Sequence, residues 1–107
     1  MIVRLTQWQA REGIDVQAAL AAWERHARLV ARVPGLRRYV QNHAVPAPDG
    51  TEPSCAGVGE AWFDDATSAR SALQSREWAA VIEDAQTFMN LETVVANWVE
   101  PRLVRDY

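Results

Sequence analysis

Ala19, Leu20, Trp23, His26, Ala27, Val30 and Val33 recur at spacings of three and four and stop at Pro34–Gly35. That spacing predicts one amphipathic helix, opened by Asp15 as N-cap and closed by the Pro-Gly pair. A helix with a single apolar stripe must bury it against another layer. The segments around it supply strands. Ile2–Trp8 (IVRLTQW) is rich in strand formers, and Leu36 to Val45 alternates. There Leu36, Arg38, Val40, Asn42 and Ala44 share one face and Arg37, Tyr39, Gln41, His43 and Val45 the other. The turn-rich stretch Pro46 to Gly57 reads as a loop, followed by a third strand, Val58 to Phe63. Asp64 or Asp65 caps a further helix through Ala66, Ala69, Ala72 and Leu73. A helical turn starting near Ser75 continues through Trp78, Val81, Ile82, Ala85 and Phe88. Leu91 to Glu100 reads as a fourth strand.

The order β-α-β-β-α-β predicts an α+β, ferredoxin-like fold: a four-stranded antiparallel sheet with its helices on one face. At 107 residues the chain suits a single domain spanning 1–107. The strands carry apolar or aromatic residues on both faces, as with Trp62 beside Phe63 and Val94 beside Val95. A sheet apolar on both sides needs a second cover, and a copy of itself supplies one, so a homodimer is expected.

Composition excludes several classes of function. The net charge is −3, with arginines and acids interspersed, so there is no basic stripe of the kind a phosphate backbone requires. No apolar run reaches membrane-spanning length and no signal-peptide pattern opens the chain. With one cysteine, Cys55, no internal disulfide forms. Together these point to a cytoplasmic protein that binds neither nucleic acid nor membrane. All 11 basic residues are arginine, which removes side-chain Schiff-base chemistry. His26 and His43 lie 17 positions apart and no ligand set has metal spacing, so no metal is expected. The stretch Gly57 to Trp62 (GVGEAW) lies within a strand and is no nucleotide loop, and no cofactor is called for.

What remains is a set of residues suited to a pocket between helix and sheet. His26 shares the sheet-facing stripe with Trp23 and Val30, where an imidazole can move a proton if its other nitrogen is oriented. A phenol at Tyr39 facing the helices can donate to a substrate carbonyl. Asp84, four residues before Phe88, can orient His26 or read a ligand hydroxyl. Trp23, Trp62, Trp78 and Phe88 can supply apolar walls. Each also has a purely structural reading, as a paired core group or as core filling.

The blocks Trp23 to His43 (WERHARLVARVPGLRRYVQNH), Gly59 to Asp65 (GEAWFDD), Ser75 to Trp78 (SREW) and Asp84 to Phe88 (DAQTF) resemble the EthD-like family of dimeric α/β-barrel proteins. The match runs from about Leu20 to Phe88, most of the chain. The resemblance implies the fold derived above and a dimer with facing sheets. The family takes its name from a protein of ether degradation gene clusters, and its fungal relatives are linked to dehydration steps. The related methylmuconolactone isomerases rearrange a small unsaturated lactone by cofactor-free proton transfer. In them the histidine of the first helix and the tyrosine of the second strand belong to the active site, positions held here by His26 and Tyr39. Their second histidine and their cysteine have no match in context, His43 and Cys55 being the only residues of those types left. The implied function is a cofactor-independent isomerase or lyase acting on a carbonyl- or lactone-containing hydrophobic metabolite. The alternative is a non-catalytic accessory protein that binds a hydrophobic small molecule in the same pocket.

Overall fold

The computed structural model describes all residues, 1–107. Strand β1 (Ile2–Trp8) leads into helix α1 (Val16–Val30), β2 (Leu36–His43), β3 (Gly57–Phe63), α2 (Ala66–Leu73), α3 (Arg76–Ala85) and β4 (Val95–Val99). The sheet order is β2-β3-β1-β4, antiparallel throughout, which is the ferredoxin-like arrangement with the helices packed on one face.

Local chemistry sets the element ends. Asp15 accepts hydrogen bonds from the amides of Gln17 and Ala18 and opens α1. The helix closes at Val30, three residues earlier than the apolar stripe suggested, and Val33 is buried from the turn that follows. Gly35 takes a φ of 81°, a left-handed conformation that glycine adopts without a side-chain penalty. Asp65, rather than Asp64, caps α2 by accepting from the Ser68 amide at 2.8 Å. The hydroxyl of Ser75 donates to the Ala72 carbonyl and accepts from the Trp78 amide, so it ends one helix and starts the next. Past α3, an antiparallel bridge between Ala10 and Met89 and the Asn90 amide on the Gln9 carbonyl tie the chain to the end of β1.

Three further expectations need correction. The second strand contains an irregularity between Leu36 and Arg38, so Arg37 is an extra residue against β3. Leu36 therefore shares the face of Tyr39, Gln41 and His43 instead of that of Arg38 and Val40. The predicted fourth strand is shorter. Leu91–Thr93 form a 3₁₀ turn capped by Asn90, and strand pairing begins only at Val95. The third strand starts one residue early, at Gly57.

On the helix side the core divides into two clusters. One gathers Trp8, Ala19, Trp23, Ala56, Ala85, Phe88 and Met89. The other gathers Val30, Val33, Ala61, Phe63, Ala69, Ala72 and Val81. His26 stands on α1 between Trp23 of the first and Val30 of the second, and is the only buried polar residue of the chain. No helix is long and apolar enough to cross a membrane.

Candidate active site

At the seam between the two clusters lies a cavity of about 80 Å³, partly open to solvent. The alternation of β3 makes room for it. Gly57, Gly59, Ala61 and Phe63 face the helices, so the middle of the floor carries only a hydrogen and a methyl group. The Trp23 indole lies on this strand: a Cβ built on Gly57 would stand 2.6 Å from its ring. Trp78, Val81, Ile82 and Ala85 of α3 close one wall, and Met89, Leu91 and Val94 close the end.

His26 lines this cavity and is 3% exposed. Its Nδ1 lies 2.7 Å from Oδ2 of Asp84, which reaches across from α3 and is 38% exposed. The carboxylate can only accept, so it holds the neutral imidazole's proton on Nδ1 and leaves Nε2 with a free lone pair. No protein group is hydrogen-bonded to Nε2. Phe88 and the imidazole form an edge-to-face pair with centroids 5.3 Å apart and planes at 75°, a packing that restrains the ring.

Tyr39 lines the same cavity from β2. Its hydrogen bonding follows from Gln41, whose Nε2 lies 2.7 Å from the Trp23 carbonyl and 3.1 Å from the Tyr39 hydroxyl oxygen. A carbonyl only accepts, so the amide nitrogen is the group pointing there, and the same nitrogen donates to the phenol oxygen. The phenol proton is thereby left for another acceptor. Burial pushes the Tyr39 pKa up, offset in part by its hydrogen bonds, so near neutral pH the residue is a donor.

The structure therefore brings His26, Asp84, Tyr39, Trp23 and Trp78 together, with Phe88 behind the imidazole rather than in the cavity wall. Trp62 is elsewhere. With Gly59, Ala61 and Phe63 committed to the helices, it points to the opposite face, where it donates to Glu60 at 3.0 Å and lies under Arg38. His43 packs against Trp23 at 5.0 Å. Cys55 is half-buried in the loop before β3 and lines no part of the cavity. No group of three or more His, Cys, Asp or Glu side chains converges as a metal site would require.

Sequence reasoning missed Arg4, Thr6 and Trp8, which line the cavity from β1. Arg4 donates to the Thr6 hydroxyl, lies 5.1 Å from the Trp78 ring centroid, and has no carboxylate within ion-pair distance. Burial lowers its pKa. The alternation of β1 carried the signal: Ile2, Arg4, Thr6 and Trp8 share a face, and Trp8 on that face belongs to the core.

Residues 11–92 match the model of the EthD domain. The chain belongs to the EthD family. It is also similar to the crystal structure of an EthD family protein from Bacillus halodurans, at 27% identity and a TM-score of 0.79, over 95% of this chain and all of that one. A dimeric ferredoxin-like protein of unknown function from Thermobifida fusca superimposes with a TM-score of 0.70 at 13% identity, covering 92% of this chain and 88% of that one. SnoaB from Streptomyces nogalater, a cofactor-independent oxygenase, does so with a TM-score of 0.67 at 16% identity, covering 96% and 94%. These last two likenesses show the shared fold. No curated protein gives a significant match to the chain.

Proposed function

We propose that this EthD protein is a cofactor-independent enzyme that moves a proton on a hydrophobic metabolite bearing a carbonyl or lactone, in the manner of an isomerase or lyase. The observation that carries the reading is the 2.7 Å His26–Asp84 pair, which leaves Nε2 free at the cavity. Nε2 takes a proton from the carbon next to the carbonyl. The electrons of that C–H bond move onto the carbonyl oxygen, and the free Tyr39 hydroxyl stabilises the growing negative charge. Return of the proton from His26 to a different carbon completes an isomerisation. Loss of a β-hydroxyl as water, the proton going to the leaving oxygen, completes a dehydration. Trp23 and Trp78 wall the site and keep water from the intermediate. The steps need no added electron carrier, and the resemblance to methylmuconolactone isomerases supports the same pairing of histidine and tyrosine.

Deuterium incorporation into a panel of small unsaturated lactones and cyclic ketones in D₂O, followed by mass spectrometry, tests the reading. The wild type should exchange the proton next to the carbonyl. His26→Gln should lose about 10²- to 10⁴-fold of that rate, the usual contribution of a general base, and Asp84→Asn should lose less. Ligand-induced stabilisation with no exchange across the panel would replace this reading with that of an accessory binding protein.

The assembly proposed with it is a homodimer through the uncovered sheet face. Support comes from the relatives from Bacteroides fragilis and Thermobifida fusca, both described as dimeric. Val3, Leu5, Val40 and Trp62 share that face, and no helix covers it. Sedimentation should give twice the 12.0 kDa chain mass, and Val40→Asp should reduce it to a single chain. A wild-type monomer at micromolar concentration rules the dimer out.

A further inference from the structure

We propose that Arg4 is the carboxylate-binding residue of the cavity, and that the ligand is a hydrophobic keto or lactone acid whose carboxylate pairs with Arg4 while its carbonyl meets Tyr39. The inference rests on the reading of the cavity as a ligand site. Its ground is an imbalance among the cavity's polar groups. Arg4 spends one N–H on Thr6 and has no carboxylate partner. The Thr6 oxygen accepts that bond, which leaves its hydroxyl proton available to a further acceptor. The Trp8 indole N–H is fully buried and has no hydrogen-bond partner. With the Tyr39 hydroxyl, these are all donors, facing a single acceptor, His26 Nε2.

A half-buried cation without a counter-ion and a buried N–H without a partner are both costly, and in an apolar cavity an acceptor-rich anion relieves both. A guanidinium suits a carboxylate because its fork of N–H groups matches the two oxygens. The floor fixes the spacing. Tyr39 and Arg4 both stand opposite Ala61, one on each neighbouring strand, so their backbones are roughly 10 Å apart, two strand spacings. A ligand touching both therefore holds its carboxylate and carbonyl several bonds apart, across the flat surface of Gly59 and Ala61. Trp78, stacked with the guanidinium, offers an apolar wall to the skeleton between them.

The test compares 4-oxocyclohexanecarboxylate with its neutral primary amide, by calorimetry and by NMR of the Trp8 indole and His26 resonances. The acid should bind about ten- to hundredfold more tightly than the amide, the range of a charge-assisted hydrogen-bonded pair. Arg4→Met should erase that preference, the acid losing more affinity than the amide. Equal affinity of the wild type for acid and amide overturns the assignment of Arg4 and leaves the cavity reading standing. Failure of both to shift either resonance at millimolar concentration overturns both. The unliganded Arg4→Met protein supplies an independent measurement. Its melting temperature should equal or exceed that of the wild type, because a half-buried cation without a counter-ion has been removed. A lower melting temperature makes Arg4 structural and overturns the proposal.

Discussion

The two faces of the sheet are made by the same four strands, yet they are built on different plans. On the helix side the middle strand carries Gly57, Gly59 and Ala61, and large aromatics reach in from its neighbours and from α1. On the other side the same strand carries Val58, Glu60 and Trp62, and polar side chains pair along the surface: Asn42 and Trp62 both donate to Glu60. The first plan leaves polar groups buried with protons to spare; the second satisfies them locally. A face whose donors are already used is suited to contact with another surface. One whose donors are left over is suited to a ligand.

The largest expected effect separates the faces by stability. Trp23 is 1% exposed and lies over the glycines of β3, so Trp23→Ala should cost about 3–5 kcal/mol, the usual range for removing a buried large aromatic. Trp62 is only partly buried in the isolated chain, and Trp62→Ala should cost less than half as much. Urea denaturation of both variants at concentrations low enough to dissociate any dimer measures the difference, and equal losses would remove the contrast. Next in size is Gly57→Ala. Its Cβ meets the Trp23 ring at 2.6 Å and the Asn42 carbonyl at 2.9 Å, so indole or backbone must shift, at about 1–3 kcal/mol. Two residues along, a Cβ on Gly59 stands 3.5 Å from Trp23 and 4.0 Å from Tyr39, ordinary van der Waals distances. Gly59→Ala should thus fold normally but narrow the cavity, and calorimetry should show ligand affinity falling with little change in urea midpoint.

How much of this was legible in the sequence depended on the range of each interaction. Asp15, Asp65 and Ser75 act on amides two or three residues away, so the helix starts could be read directly. Alternation correctly separated Trp62 from Phe63, but it cannot say which side the helices take, and Trp62 was assigned to a pocket it does not face. The extra residue at Arg37 breaks the period of two within a single strand, and nothing in its local composition marks it. The His26–Asp84 pair joins residues 58 apart, so sequence reasoning could offer Asp84 only as one possible partner. Arg4 was passed over because a lone arginine in a strand is ordinarily solvated, and its partial burial involves contacts with Trp78 and Thr6 that no local pattern shows.

The smallest effect sharpens the comparison at a single proton. Tyr39 sits on the helix side, where burial raises its pKa above the ordinary phenol range. A phenol whose folded pKa is raised stabilises the fold fully below the unfolded value, near 10. That contribution is lost as pH rises through the folded value, since only the unfolded chain gains by ionising first. An ultraviolet absorbance titration should therefore contain a component above the ordinary phenol range that Tyr39→Phe removes, and the variant's stability should fall less steeply above pH about 10 than the wild type's. Loss of the same component on replacing Tyr107, which lies in the exposed tail, would assign it to the wrong phenol and take away the evidence that Tyr39 enters the reaction as a proton donor. Retained by the Tyr107→Phe protein and lost from the Tyr39→Phe protein, it assigns a phenol that stays protonated to the cavity that His26 also lines, the donor that charge development on a carbonyl oxygen requires.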